Sequence, residues 1–183
     1  EESWRFETGR AIYSSPTVAN GTVFIGSNNG NVYALDSSTG EEEWQAETGF
    51  QVRSSPTVHD GTVYVGSIDA GVYALSASSG EQEWVFRTDD QVFSSPTVVG
   101  TTVFTGSNDG NLYTLDANSG EPISSFETDG PVFPSPTVVN GTVYFGSDDG
   151  RVYALPAGVA GSSADSRIRL DTLGHIERTP AQR

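Results

Sequence analysis

The side chains best able to offer oxygen ligands stand in pairs before glycine: Asn28-Asn29-Gly30, Asn108-Asp109-Gly110 and Asp148-Asp149-Gly150. Hard cations such as Ca²⁺ take oxygen ligands of this kind. Tight turns ask for the same residues, because Asn and Asp bond their own backbone and Gly reaches positive φ. Their recurrence at one fixed spacing favours turns over metal loops. Of the two histidines, His59 and His175, neither has a second His or Cys at ligand spacing, and the chain has no Cys. His59 therefore reads as a turn residue. Serines are many, but no Gly-x-Ser-x-Gly nucleophile motif occurs. Asn20-Gly21-Thr22 and Asn140-Gly141-Thr142 are N-glycosylation sequons, and turn chemistry accounts for them equally well. No catalytic, cofactor-binding or metal-ligand set is assigned from these residues. The set with most chemical variety is Tyr13, Arg53, Phe93 and Phe133, each placed immediately before a Ser/Pro-rich segment. Gathered around one opening, aromatics plus Arg would suit a peptide or an anionic small molecule. Packing of the connecting segments is the plainer alternative.

The elements that must position these residues come from a repeat. Ser-Ser-Pro-Thr occurs at Ser14–Thr17, Ser54–Thr57 and Ser94–Thr97, and returns as Pro134-Ser135-Pro136-Thr137, every 40 residues. Gly-Ser at 26–27, 66–67, 106–107 and 146–147 keeps the same step, as do Tyr33, Tyr73, Tyr113 and Tyr153. A period in the forties built of short apolar segments and Gly-rich turns marks a propeller or a related β array. Within one unit, Ser55-Pro56-Thr57-Val58 reads as a short strand whose Pro must avoid a ladder position. His59-Asp60-Gly61-Thr62 is a tight turn, and Asn20-Gly21 and Asn140-Gly141 stand at the same place with type I′ preference. Thr62–Gly66, Val72–Leu75 and a segment around Glu83–Thr88 supply three more strands. Four strands joined by hairpins make one antiparallel blade. The expected fold is all-β, a propeller of four-stranded blades. Complete blades are expected over 11–48, 51–88 and 91–128.

Ala34-Leu35-Asp36-Ser37-Ser38-Thr39-Gly40-Glu41-Glu42-Glu43-Trp44 fits A-x-D-x-x-x-G-x-x-x-W. This resembles the tryptophan-docking motif of the quinoprotein (PQQ-type) β-propeller family, which includes outer-membrane-assembly lipoproteins. Repeat two keeps Ala74, Gly80 and Trp84 with Ser76 for the Asp; repeat three keeps Asp116 and Gly120 with Thr114 and Ser124 for Ala and Trp. The resemblance covers residues 1 to about 155 and implies that each Trp packs against the next blade, on a turn shaped by the Asp and Gly. It also raises a PQQ cofactor held with Ca²⁺ in dehydrogenases of the family. Those enzymes carry ligands on inserted loops, whereas these repeats are uniform in length. The expected role is thus a non-catalytic protein-binding or assembly scaffold without cofactor. Part of a PQQ-dependent dehydrogenase and a purely structural surface module are the alternatives. An extracytoplasmic or cell-surface location is implied by the resemblance alone.

Charge narrows the partners. The chain has 24 acidic and 9 basic residues, every basic one Arg. Residues 1–155 hold 21 acids against 5 Arg, a net −16, and residues 156–183 hold 3 against 4, a net +1. Dense carboxylate without Lys reads as a halophilic protein, pointing to a halophilic archaeon, where salt screens self-repulsion. Such a field disfavours nucleic acid, whose phosphates call for Lys and Arg. No apolar run approaches the ~20 residues of a membrane helix. The chain opens at Glu1 rather than Met and reads as a processed or excised piece.

Glu1–Thr8 aligns with Glu41–Thr48 and Glu81–Thr88, so it reads as a fourth strand without a blade before it. Residues 131–155 supply three strands and lack the fourth. Strand sharing between 1–9 and 131–155, in one chain or between two, would remove exposed edges. That count allows a small closed ring, an eight-bladed ring of two chains, or half of a longer propeller. The repeat ends at Pro156, and residues 156–183 form a non-repeat tail.

Overall fold

A computed structural model describes residues 1–163, and the tail residues 164–183, His175 among them, lie outside the described part. Among the described residues, fifteen strands form four antiparallel sheets and no helix occurs. The first is β1 (Thr17–Ala19), β2 (Thr22–Gly26), β3 (Asn31–Asp36) and β4 (Glu42–Glu47). The second is β5 (Thr57–His59), β6 (Thr62–Gly66), β7 (Gly71–Ser76) and β8 (Gln82–Arg87). The third is β9 (Thr97–Val99), β10 (Thr102–Gly106), β11 (Asn111–Asp116) and β12 (Pro122–Glu127). The fourth has three strands, β13 (Thr137–Val139), β14 (Thr142–Gly146) and β15 (Val152–Pro156). Each sheet is a meander in sequence order, one blade of a propeller.

Local chemistry explains the strand bounds. The first strand of each blade starts at the Thr after Pro, one or two residues later than the pattern predicts, because Pro has no N–H for the ladder. The β1–β2 turn holds Asn20 at φ 51° and Gly21 at φ 86°, and Asn140-Gly141 repeats this at 49° and 74°. Two consecutive positive φ values are the type I′ signature, which matches strand twist.

The blades form an open arc. β1 neighbours β5, β5 neighbours β9, and β9 neighbours β13. Apolar cores fill the seams: Phe24 and Trp44 meet Val63, Val65 and Leu75 between blades one and two, and Tyr64 and Trp84 meet Val103 and Leu115 between two and three. A third cluster with Phe104, Val143 and Phe145 joins blades three and four. Among the described residues no strand pairing joins blade four to blade one. The small ring closed within one chain is therefore not the architecture observed. Among the described residues Glu1–Thr8 forms no ladder; its Trp4 and Phe6 lie against blade one, at the opposite end of the arc from β15.

Candidate functional site

The Ser-Ser-Pro-Thr motif works as a latch between blades. The second Ser accepts from the blade before it: Ser15 N donates to Ser55 Oγ at 2.9 Å, Ser55 N to Ser95 Oγ at 2.8 Å, and Ser95 N to Ser135 Oγ at 3.0 Å. Thr17, Thr57 and Thr97 each donate Oγ1–H to the Pro carbonyl of the next blade, all at 2.6 Å. In blades one and two the first Ser turns inward on its own blade, where Ser14 Oγ accepts from Gly26 N at 3.1 Å and Ser54 Oγ from Gly66 N at 2.7 Å, whereas Ser94 Oγ donates to Pro134 O of the next blade at 3.2 Å. A concave cavity of about 460 Å³ is shared by all four blades, walled by the second Ser, the Pro and the Thr of every repeat, by Val18, Val58 and Val98, and by Ser163.

Tyr13, Arg53, Phe93 and Phe133 come together as one stack. The Arg53 guanidinium carbon lies 5.0 Å from the Tyr13 ring centre and 5.8 Å from that of Phe93. Phe93 and Phe133 stand 5.5 Å apart at 58°. Tyr13 is exposed and the other three are half-buried, so the stack offers a surface to solvent. Arg53 Nε also reaches Asn28 Oδ1 at 3.4 Å. In the matching turn of blade three, Asn108 Oδ1 is buried with no hydrogen-bond partner, and Phe133 stands where an Arg would serve it. A cation between aromatic faces suits anionic or aromatic groups on a partner.

The residues of the A-x-D-x-x-x-G-x-x-x-W motif sit elsewhere, at the outer seams. Trp44 Nε1 donates to Ala77 O at 3.0 Å and Trp84 Nε1 to Ala117 O at 2.9 Å, each in the next blade. Trp4 makes the same bond to Ser37 O at 3.0 Å. The ring in each case lies on a glycine with positive φ: a Cβ on Gly40, Gly80 or Gly120 would meet Trp4, Trp44 or Trp84 at 2.6 Å. Asp36 Oδ1 accepts from the N–H and hydroxyl of both Ser38 and Thr39. The Ser38 hydroxyl first, then the Thr39 and Ser38 amides, hold its carboxyl at about 2. Asp116 repeats this with Asn118 and Ser119 and is likewise lowered by the Ser119 and Asn118 amides. At the fourth-strand position of blade three, Ser124 is exposed, and a groove of about 210 Å³ opens between blades three and four, walled by Phe104, Ile123, Phe126, Leu155 and Val159.

The Asn/Asp pairs before glycine act as turns. Asn29 Oδ1 accepts from Asn31 N at 3.0 Å, and Asp109 and Asp149 accept from Asn111 N and Arg151 N at 2.9 Å. His59 lies in its hairpin 3.4 Å from Asp60. What the pattern reading missed is the bond that the third-strand tyrosine makes to this turn. Tyr113 Oη donates to Asp109 at 2.9 Å, and the Tyr73–Asp69 and Tyr153–Asp149 pairs bond alike, joined by Arg87 and Arg151. The signal was present as Asp and Tyr four residues apart in three repeats. Burial pushes Asp69 up, and bonds from Tyr73 and Arg87 outweigh it, so its pKa is lowered. Among the described residues no three His, Cys, Asp or Glu side chains converge as metal ligands.

The sequence matches the family described as "Outer membrane protein assembly factor BamB" over residues 1–96 and 90–160. No match to a curated protein sequence was found. The fold superposes on BamB from Moraxella catarrhalis with a TM-score of 0.77 at 22% identity, covering 87% of this chain and 51% of that one. It also superposes on the computationally designed protein Ika4, TM-score 0.75 at 18% identity, covering 82% of this chain and 93% of that one. Quinohemoprotein alcohol dehydrogenase from Comamonas testosteroni gives 0.72 at 18% identity, covering 84% and 34%. The chain thus spans about half the length of the BamB it matches.

Proposed function

We propose, from the premise that this chain belongs to the PQQ-type propeller-repeat family described by the BamB match, that it is a non-catalytic scaffold that binds a protein partner outside the cytoplasm. The observation that carries this reading is the continuous Tyr13–Arg53–Phe93–Phe133 stack. Aromatics and Arg are the side chains enriched where proteins bind each other. One cation among three rings, in a chain of net charge −15, makes a local site for an acidic or aromatic segment.

A PQQ site with Ca²⁺ fits the residues poorly. Ca²⁺ takes six to eight oxygens, carboxylates prominent among them, and the concave cavity is lined by hydroxyls, prolines and valines without a carboxylate or amide side chain. We therefore derive no cofactor chemistry, although the fold is shared with a quinohemoprotein dehydrogenase.

A photo-cross-linking amino acid at Phe93, with a control at Ser38, tests the reading in cells that make the protein. Discrete cross-linked proteins from position 93, lost when Arg53→Ala and Phe133→Ala are added, are expected. Equal labelling from both positions, or micromolar PQQ binding with Ca²⁺ in calorimetry, would overturn it.

A further inference from the structure

The two ends of the arc are complementary to each other. At its leading end, blade one presents acceptors: Ser15 Oγ and the Pro16 carbonyl stand where Ser55 Oγ and the Pro56 carbonyl receive bonds from the blade before. Ser15 and Pro16 are exposed, while Pro56, Pro96 and Pro136 are buried by a preceding blade. At the trailing end, blade four presents the donors, Ser135 N–H and Thr137 Oγ1–H, and both residues are exposed. Every seam inside the chain joins these donors to these acceptors.

The outer strands match as well. Val32, Val72 and Leu112 are buried at 0%, 0% and 2% exposure, each beside a fourth strand, whereas Val152 at the same place on β15 is 82% exposed. Residues 1–8 have the features of a fourth strand. Trp4 is seated on Gly40 as Trp44 is on Gly80, and Phe6 meets Tyr33 edge-on at 5.3 Å as Phe86 meets Tyr113 at 5.2 Å. The repeat register then fixes each neighbour. Ala34 faces Trp44 and Ala74 faces Trp84, so Ala154 would face Trp4. Val72 faces Phe86, so Val152 would face Phe6. Asn31 faces Glu47, so Arg151 would face Glu7, placing opposite charges together.

We propose that a second copy of this chain supplies the fourth strand that blade four lacks among the described residues, and that two copies close one eight-bladed ring. Each lends residues 1–8 to blade four of the other. A head-to-tail interface closes into a ring when the rotation allows, and here it does so after two copies. Both open edges are thereby removed, and the Arg–aromatic stack is present twice around one opening.

Mass in solution tests this without any substitution. In molar salt, where charge is screened within ~3 Å, light scattering is expected to give twice the chain mass of 19.4 kDa across a wide range of concentration. The register is tested by Glu7→Cys with Arg151→Cys, since directly facing residues lie about 4.5–5.5 Å apart, within disulfide reach, and the chain has no other Cys. Oxidation is expected to give a covalent dimer from the double variant and none from either single one. A monomer mass throughout, a disulfide within one chain, a ladder of larger species, or equal dimer from the single variants would each overturn the proposal.

Discussion

At the scale of residues, one carboxylate illustrates how a turn acquires pH dependence. Asp36 accepts four hydrogen bonds from Ser38 and Thr39, and its pKa falls to about 2 from an ordinary 3.8. A depressed folded-state value contributes stability above the unfolded pKa, and that contribution is lost as pH falls through the folded one. The window here is from about pH 4 to about pH 2. Asp36→Asn keeps an acceptor oxygen and removes the charge. Its melting temperature should fall less between pH 5 and pH 2.5 than that of the parent chain; equal falls would mean the turn does not contribute. The A-x-D-x-x-x-G-x-x-x-W motif made this turn legible, because Asp and Gly each meet a local backbone demand. The Arg53 stack was legible only as a column of four positions, since sequence spacing carries no information on which neighbour a guanidinium covers. Ala70, held at φ 68° where three repeats have Gly, also escaped the pattern reading, because nothing adjacent in sequence marks the strain.

At the scale of elements, the third seam lacks the Trp that fills the first two. Trp44 and Trp84 fill the first two, each beside an aromatic ring of its own blade, Phe24 or Tyr64, at 5.8 Å. In the third, Ser124 leaves the groove beside Phe104. β12 is exposed along its whole length, whereas β4 and β8 each bury their Trp. Amide exchange should open residues 121–128 before 41–48 and 81–88. Trp44→Ala and Trp84→Ala should each cost about 3–5 kcal/mol, and Ser124→Trp should raise stability and slow exchange in 121–128. Uniform protection across the three segments would contradict this ranking. The strand pattern itself followed from period and turn chemistry, and residues 1–8, read there as a fourth strand, form no assigned strand in the structure. It could not show that these residues lie against blade one without a ladder, because register fixes strand type and not the strand's neighbour.

At the scale of the molecule, charge is strongly one-sided. Residues 1–155 carry a net −16, and we propose that the fold depends on salt. Lowering ionic strength from 1 M to 0.01 M lengthens screening from ~3 Å to ~30 Å, so the melting temperature should fall over that range. A flat or rising value would remove the halophilic reading. The latch has a consequence of another kind. Its bonds join residues 39 or 40 positions apart and always run from one blade to the next. Donor and acceptor therefore belong to the unit rather than to a particular pair of units. A gene built this way could gain or lose a whole repeat and keep every donor facing an acceptor, because the serine, proline and threonine that supply both are consecutive in each unit. The recurrence of that motif, rather than identity of the whole repeats, would then let a propeller of this kind change size in steps of one blade.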